Sequence, residues 1–414
     1  MDSDQNGRRK FLKNAAMLAG AVVGSMREAA AQSTKKGETE IPIPGPPYVI
    51  PPYGERSRFV NSKRVGEFAP LQDFMGIITP AALHYTVDHG SPIADIDPAQ
   101  HRLLIHGLVE RPLIFTVDEV KRFPSVSRIH FLQCAGSSYL PLGDREKAVT
   151  VQETHGKTSC SEWTGVPLSV LLQEAGVKKE GTWLVAEGAE WKKHSISIPM
   201  AKALDDALVV YGQNGEPIRR EQGFPLRLLA PGWEGVRNVK YLRRIKVVDR
   251  PYMTKWESTV YTNLRMDGKA RWFQFELEPN SVITYPSGGQ KLPASGFYQI
   301  SGLAWSGGGA VRKVEVSTDG GRNWKEAQLQ QPILPKAHTR FRFDWNWNGE
   351  EVVLLSRCTD DMGEVQPTKA EVEKLWNVKP GYWLSTTNRI QHFNACQPWK
   401  ITPEGSVHNA IWEA

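Results

Sequence analysis

The order of apolar and polar positions divides the chain into two stretches of different character. From Leu71 to about Val248, strand-like and helix-like patterns alternate. Arg102 to Gly107 reads as a strand, and so does Arg128 to Gln133. Thr116-Val117-Asp118-Glu119 has the spacing of a capping box ahead of Val120 and Phe123, which predicts a helix start. Pro167 suits a first helical turn, Leu168, Leu171, Leu172 and Ala175 share one face, and Gly176 supplies the stop. Gly181 to Ala186 and Leu226 to Ala230 read as further strands. From about Ser281 the pattern becomes all-β. Val311 to Ser317 alternates, Asp319-Gly320-Gly321 turns, and Trp324 follows on a return strand, because the glycines supply the positive φ a tight hairpin needs. Phe341 to Trp345 and Val352 to Ser356 add two more short strands, which suggests a sandwich. The expected fold class is α+β: a mixed α/β domain over residues 61–255, then an all-β domain over residues 256–414. No internal repeat is visible.

The N-terminus has a separate logic. Arg8-Arg9-Lys10-Phe11-Leu12-Lys13 precedes an uncharged stretch from Asn14 to Met26, the layout of a twin-arginine export signal over residues 1–32. Ala29-Ala30-Ala31 offers a cleavage site. This route carries folded proteins, often around a cofactor already installed, and it implies the periplasm. The apolar run is shorter than the about 20 residues a span requires, and no later stretch reaches that length, so no membrane span is expected in the mature chain. Residues 33–60 are a Pro- and charge-rich leader with Pro42, Pro44, Pro46, Pro47, Pro51 and Pro52, a composition that stays extended.

The net charge is +6, and residues 1–32 hold five basic and three acidic side chains, leaving +4 for the remainder. That mild balance suits an anionic cofactor or an acidic partner patch and excludes a nucleic-acid binder. The four cysteines, Cys134, Cys160, Cys358 and Cys396, include no C-x-x-C pair, so covalent c-type haem is excluded and a structural zinc site is not expected. Disulfide pairing stays open.

Cys134 ends the apolar strand Phe131-Leu132-Gln133-Cys134-Ala135-Gly136, where small neighbours leave space beside the sulfur. A thiolate there can ligate a metal or attack a substrate, and an inert structural cysteine is the alternative. Arg219, Arg220, Arg227, Arg237 and Lys240 are interleaved with Gly223, Gly232 and Gly235, so backbone can approach a phosphate while cations balance it; a solvated basic face is the alternative. Neither a P-loop nor a dinucleotide fingerprint is present. His194 with Cys134 would make a nucleophile pair of a hydrolase, and a satisfied surface histidine is its bland counterpart. Tyr261 carries a hydroxyl fit for proton work or for a rim position.

Taken jointly, these segments resemble the sulfite oxidase family of molybdenum enzymes, and within it the molybdenum subunits of bacterial sulfur-oxidising systems. The residues that carry the resemblance are Cys160 to Leu168, Ala203 to Tyr211, Pro231 to Gly235, Gly223-Phe224-Pro225-Leu226-Arg227, Asn238-Val239-Lys240 and Ile300 to Gly307, in order over residues 70–400. The resemblance implies a molybdenum-molybdopterin cofactor with Cys134 as direct metal ligand. Tyr85, Thr86, Val87, Asp88 and His89 match the family's cofactor-contacting F-V-R-N-H segment. Glu190 falls where an aspartate is usual and Gln222 where a histidine is common. Arg227 matches the cofactor arginine, and Arg237, Asn238, Val239 and Lys240 fall in the segment holding the pterin and its phosphate. Tyr261 matches the active-site tyrosine. The all-β domain is implied to be the immunoglobulin-like dimerisation domain.

The departures concern substrate. Val87 stands where a sulfite-binding arginine is expected, Tyr139 where a second is, and Asn394-Ala395-Cys396-Gln397-Pro398 where a third is. Lys192, Lys193 and Arg237 are the cations that remain to compensate. Carrier-bound sulfane sulfur, held by a sulfur-carrier protein, is therefore expected ahead of free sulfite. A separate c-type cytochrome is implied as electron acceptor, within a hetero-oligomer built on a homodimer. A non-catalytic periplasmic binding protein is the alternative of another class.

Overall fold

The computed structural model describes residues 68–138, 149–264, 267–272, 274–378 and 393–413. The export signal, the leader and Tyr139 lie outside the described residues. The first half contains β1 (Arg102–Gly107), β2 (Leu113–Thr116), α1 (Val117–Val120), β3 (Val126–Gln133), α2 (Val151–His155), β4 (Thr158–Pro167) and α3 (Leu168–Ala175). It continues through β5 (Trp183–Gly188), β6 (Ser195–Pro199), α4 (Met200–Asp205), β7 (Leu208–Gln213), β8 (Glu216–Pro217), β9 (Arg227–Leu229) and β10 (Leu242–Val248). Two sheets result. One has the order β2-β1-β10-β5-β6, with β1 and β10 parallel; the other has the order β3-β4-β7-β8, with β9 also on β7.

The predicted caps are present. The Thr116 hydroxyl accepts the Glu119 N–H at 3.1 Å while the Glu119 carboxylate accepts the Thr116 N–H at 2.8 Å. Gly176 ends α3 at a φ of +70°, a conformation that favours glycine. Leu168, Leu171, Leu172 and Ala175 pack with Leu103, Ile105, Ile245 and Val247 of the first sheet in one core.

After a short ribbon of β11 (Asn263–Leu264) and β12 (Ala270–Arg271), the second half holds β13 (Asn280–Tyr285), β14 (Gly296–Trp305), β15 (Val311–Ser317), β16 (Lys325–Glu326) and β17 (Gln328–Leu329). Then come β18 (Thr339–Trp347), β19 (Val352–Asp360), α5 (Lys369–Leu375), β20 (Trp399–Ile401) and β21 (Val407–Asn409). Sheets of order β13-β14-β18-β17 and β16-β15-β19-β20-β21 share a core of Ile300, Phe341, Val314, Leu354 and Trp399. That is the predicted sandwich, and β15 returns to β16 through the Asp319-Gly320-Gly321 turn. Cys160, Cys358 and Cys396 are buried, and all four cysteines are free thiols. Among the described residues no helix is long and apolar enough to cross a membrane.

The halves are joined along β3, an edge strand whose free side would otherwise leave backbone groups unpaired. The Phe131 N–H donates to the Lys336 carbonyl at 3.0 Å. Trp305 Nε1 donates to Gln133 Oε1 at 2.5 Å, and His338 Nε2 lies 2.9 Å from Thr158 Oγ1. Phe131 and Trp163 belong to the same core as Trp305 and Phe341. Charge adds to this seam. Asp206 bridges Lys202 at 2.7 Å and Lys336 at 2.6 Å. Burial pushes its carboxyl up, but the two ammonium groups outweigh that and hold it below the ordinary value.

A depressed folded-state pKa means stability is present above the unfolded value and lost as pH falls through the folded one. Asp206→Asn should therefore cost about 1–3 kcal/mol at pH 7, because it strands two lysines. Chemical denaturation from pH 7 to pH 3 should show the wild-type advantage shrinking below about pH 4. An advantage that stays constant down to pH 3 would refute the bridge.

Candidate active site

Three segments converge on an open cleft around Cys134, whose wall Glu190, His194, Trp256 and Tyr261 complete. The first is the turn at Asp88. The Asp88 carboxylate accepts the Gly90 N–H at 2.8 Å, and the Asp88 carbonyl accepts the Ser91 N–H at 3.0 Å. This turn holds His89 at a φ of +53° and places its ring in the cleft wall, 4.6 Å from Trp256 and 6.1 Å from both His194 and Tyr261 between ring centroids. Left-handed backbone at a non-glycine residue is a cost that tends to persist at functional sites.

The second segment is the end of β3. Cys134 is half-buried, and its N–H donates to the Lys157 carbonyl at 3.0 Å. Burial pushes the thiol up, and the Lys157 ammonium pulls it back down. A β-carbon on Gly235 would lie 2.7 Å from the Gln133 carbonyl oxygen and 3.1 Å from the Tyr85 hydroxyl, so only glycine lets that turn close over the strand.

The third segment runs from Arg219 to Tyr241. A β-carbon on Gly223, at a φ of +106°, would stand 2.8 Å from the Lys240 Cα, so the glycine lets the Arg220–Gln222 turn lie on Lys240. Gln222 Nε2 donates to the Tyr85 carbonyl at 2.8 Å, and its Oε1 accepts from Arg227 Nη1 at 3.1 Å. Lys240 Nζ donates to the carbonyls of Val87 at 3.1 Å and Glu221 at 3.0 Å. Burial lowers Arg227 to about 10 and Lys240 to about 8, with Arg227 adding to the second shift. Both therefore remain cations near neutral pH. Among the described residues neither forms an ion pair, and Arg227 Nε is buried without a hydrogen-bond partner. Arg227 also lies 5.5 Å over the Trp163 ring and Lys240 5.7 Å over the Tyr241 ring, and cations so placed with no ion-pair partner are a seat for an anion.

The sequence-predicted residues mostly meet here. Tyr85, Val87, Asp88, His89, Cys134, Glu190, Gln222, Arg227, Asn238, Lys240 and Tyr261 line the cleft. Thr86 stands behind it, 3.4 Å from Gln222 Nε2. Arg237 does not reach it: its guanidinium donates to the Ser197 carbonyl at 2.9 Å and pairs with Glu257 at 3.3 Å, both side chains fully buried. Val239 is in the apolar core and contributes its carbonyl to Leu228. Asn238 spends its side chain on the Ala230 N–H at 2.7 Å and the Glu234 carbonyl at 3.0 Å, and so fixes the loop that carries Gly235. Of the candidate compensating cations, Lys192 lines the cleft, with Nζ 2.6 Å from the His89 carbonyl, and Lys193 and Arg237 do not. Asn394 to Pro398 sit in the second half, where Asn394 Nδ2 donates to the Pro279 carbonyl at 3.1 Å.

Sequence reasoning did not select Ser91, Pro92, Val236, Tyr241 and Trp256, which also line the cleft. Their only signal was proximity to selected neighbours. The hydrolase pairing does not form. His194 Nε2–H donates to the Val236 carbonyl at 2.9 Å, and Nδ1 has no partner. Burial lowers the imidazole to about 4, and the Cys134 thiol is raised, the reverse of a thiolate–imidazolium couple. Tyr261 Oη and His89 Nε2 are 3.3 Å apart, which makes a hydrogen-bonded pair on the wall beside the thiol. Among the described residues no cluster of three His, Cys, Asp or Glu stands together, so the protein offers a metal one soft donor in this cleft.

Comparison with known proteins agrees with this geometry. Residues 89–256 match the oxidoreductase molybdopterin binding domain, and residues 271–385 match the Mo-co oxidoreductase dimerisation domain. The chain is 30% identical to mitochondrial sulfite oxidase of Mus musculus, aligning over 80% of its own length and 65% of the relative's. It is 34% identical to an NADH nitrate reductase of Solanum lycopersicum, of which it spans 40%. The crystal structure of the sulfane dehydrogenase SoxCD from Paracoccus pantotrophus superposes with a TM-score of 0.79 at 36% identity, covering 91% of this chain and 96% of that one. A cleft with one soft thiol, an anion-seeking basic floor and these relatives places the chain in the sulfite oxidase family of molybdenum oxidoreductases, with a molybdopterin-bound molybdenum as its cofactor.

Proposed function

We propose that this chain is the periplasmic molybdenum subunit of a sulfur-oxidising enzyme that acts on sulfane sulfur carried by a partner protein and passes electrons to a c-type cytochrome. The observation that carries the reading is Val87. It lines the cleft where the family's sulfite-binding arginine is expected, and Arg227 is the one arginine among the described lining residues. Arg227 is turned to Gln222 on the cofactor side. A free dianion entering such a cleft would shed water with little charge to replace it. A tethered substrate needs less of an anion clamp, because the carrier supplies local concentration. The sulfane dehydrogenase of similar structure supports the same substrate class. The twin-arginine pattern supports export with the cofactor in place, and the dimerisation domain supports a homodimer.

The residues present fit the cofactor. Cys134 would hold the metal, and Arg227 and Lys240 would take the anionic part of the pterin. Bound there, molybdenum would supply two-electron oxygen-atom transfer to sulfur. Tyr261 would orient the substrate and, through the bond to His89, hold or move a proton at its hydroxyl. His89 is neutral near pH 7, because burial and the neighbouring His194 lower it to about 4. It can therefore accept a hydrogen bond from the Tyr261 hydroxyl.

Replacing Cys134 with serine should leave a folded, exported chain that has lost molybdenum-dependent turnover, read by circular dichroism, metal analysis and cytochrome reduction side by side. Undiminished turnover would reject the metal assignment. For the wild type, kcat/KM with a persulfide-loaded carrier should exceed that with free sulfite by roughly tenfold or more. Equal efficiencies would return the reading to a sulfite dehydrogenase.

A further inference from the structure

We infer that Lys157 is the substrate-side cation of this enzyme, a positioning residue that holds the anionic sulfur group of the substrate beside Cys134. The inference rests on the sulfur-oxidising reading and adds a residue that the resemblance did not single out.

Register is the first argument. β3 and β4 are antiparallel, with Gln133 opposite Thr158 as the last pair. The next pair is Cys134 with Lys157, and the Cys134 N–H bond to the Lys157 carbonyl extends the ladder to it. Directly opposed residues on antiparallel strands project to the same face, so the thiol and the lysine side chain start side by side. Space is the second argument. A β-carbon on Gly136 would lie 3.4 Å from Lys157 Nζ and 3.9 Å from Cys134 Sγ. Both groups thus reach the same spot, to which Gly136 itself adds no side chain. Cys134, Gly136 and Lys157 are all half-buried, so a ligand can reach them.

Charge is the third argument. Among the described residues Lys157 makes no ion pair, and its ammonium stands 5.2 Å over the Phe68 ring. Arg227 and Lys240 are pinned by Gln222 and by carbonyls, and Lys192 is bound to the His89 carbonyl. Among the described residues Lys157 is the remaining cation close to the thiol. A flexible four-carbon ammonium also suits a sulfur group whose shape and charge change as oxygen is added, which a fixed guanidinium fork would not follow.

The test uses molybdenum-loaded wild type, Lys157→Met and Lys157→Arg. Sulfate, an unreactive dianion, is titrated by calorimetry, and sulfite turnover is measured in parallel with metal content. Lys157→Met should keep its molybdenum, weaken sulfate binding and raise the sulfite KM roughly tenfold, and change kcat by less than about twofold, since one charge-assisted contact is lost. Lys157→Arg should recover most of the sulfate affinity. Unchanged sulfate affinity in the methionine variant would overturn the inference. So would loss of molybdenum in that variant with recovery in the arginine one, because Lys157 would then serve the thiolate and not the substrate. If the wild type turned over no sulfur compound while the sulfate series behaved as expected, the functional reading would fall and the anion site would stand.

Discussion

Two cations that make no ion pair among the described residues, the buried Arg227 and the half-buried Lys240, govern this molecule. Arg227 and Lys240 are held by an amide and by carbonyl oxygens, and the guanidinium keeps one N–H with no partner at all. Removing such groups from water is costly, and backbone dipoles return only part of the cost. The fold tolerates them because an anion is to arrive. Each nearby oddity serves the same end. Gly223 lets the Gln222 turn lie on Lys240, Gly235 lets a second turn close over β3, and Asn238 consumes its own side chain to hold that turn.

The wall opposite depends on the sandwich. β3 delivers Cys134, and an edge strand is a poor support by itself. Here its outer side is bonded to Lys336 and its last residue to Trp305, so the second half sets the position of the Cys134 thiol. The apolar core crosses the same seam, with Trp163 and Phe131 packed among sandwich residues. A change in the sandwich near Trp305 or Lys336 therefore reaches the active site through β3, although neither residue touches the cleft.

Much of this was legible in the sequence where local chemistry sufficed. The Thr116 capping box, the Pro167-to-Gly176 helix and the Asp319 turn each depend on residues a few positions apart, and each formed as read. β4 was not read as a strand. Its ten residues, Thr158–Pro167, carry serine, threonine and glycine at buried positions, because it is the middle strand between β3 and β7 and its neighbours leave little room. Period-two alternation is lost when both faces are covered. In the site, residues that carry charge or sulfur were legible through the family pattern. Arg237 and Val239 were placed in the cofactor segment, but the chain turns between them and Lys240, sending Arg237 to Glu257 and Val239 into the core. Lys157 was invisible for the complementary reason. It is distant in sequence from the other site residues, and only the β3–β4 register sets it opposite Cys134.

The cations lining the cleft and Lys157 beside the thiol are held differently, and the difference bears on the proposed substrate. Cations fixed by several backbone contacts are preorganised, which suits a cofactor that binds once and stays. A lysine whose described contact is one aromatic ring keeps its conformational freedom and pays entropy each time it binds. For a substrate that must enter, change its charge and leave, weak and adjustable binding is an advantage, since tight ground-state binding would slow release without lowering the barrier. A site of this kind would hold free sulfite poorly. On the proposed function, a carrier that brings sulfur on its own covalent arm would remove that weakness, because the protein–protein contact would supply the affinity that Val87 does not.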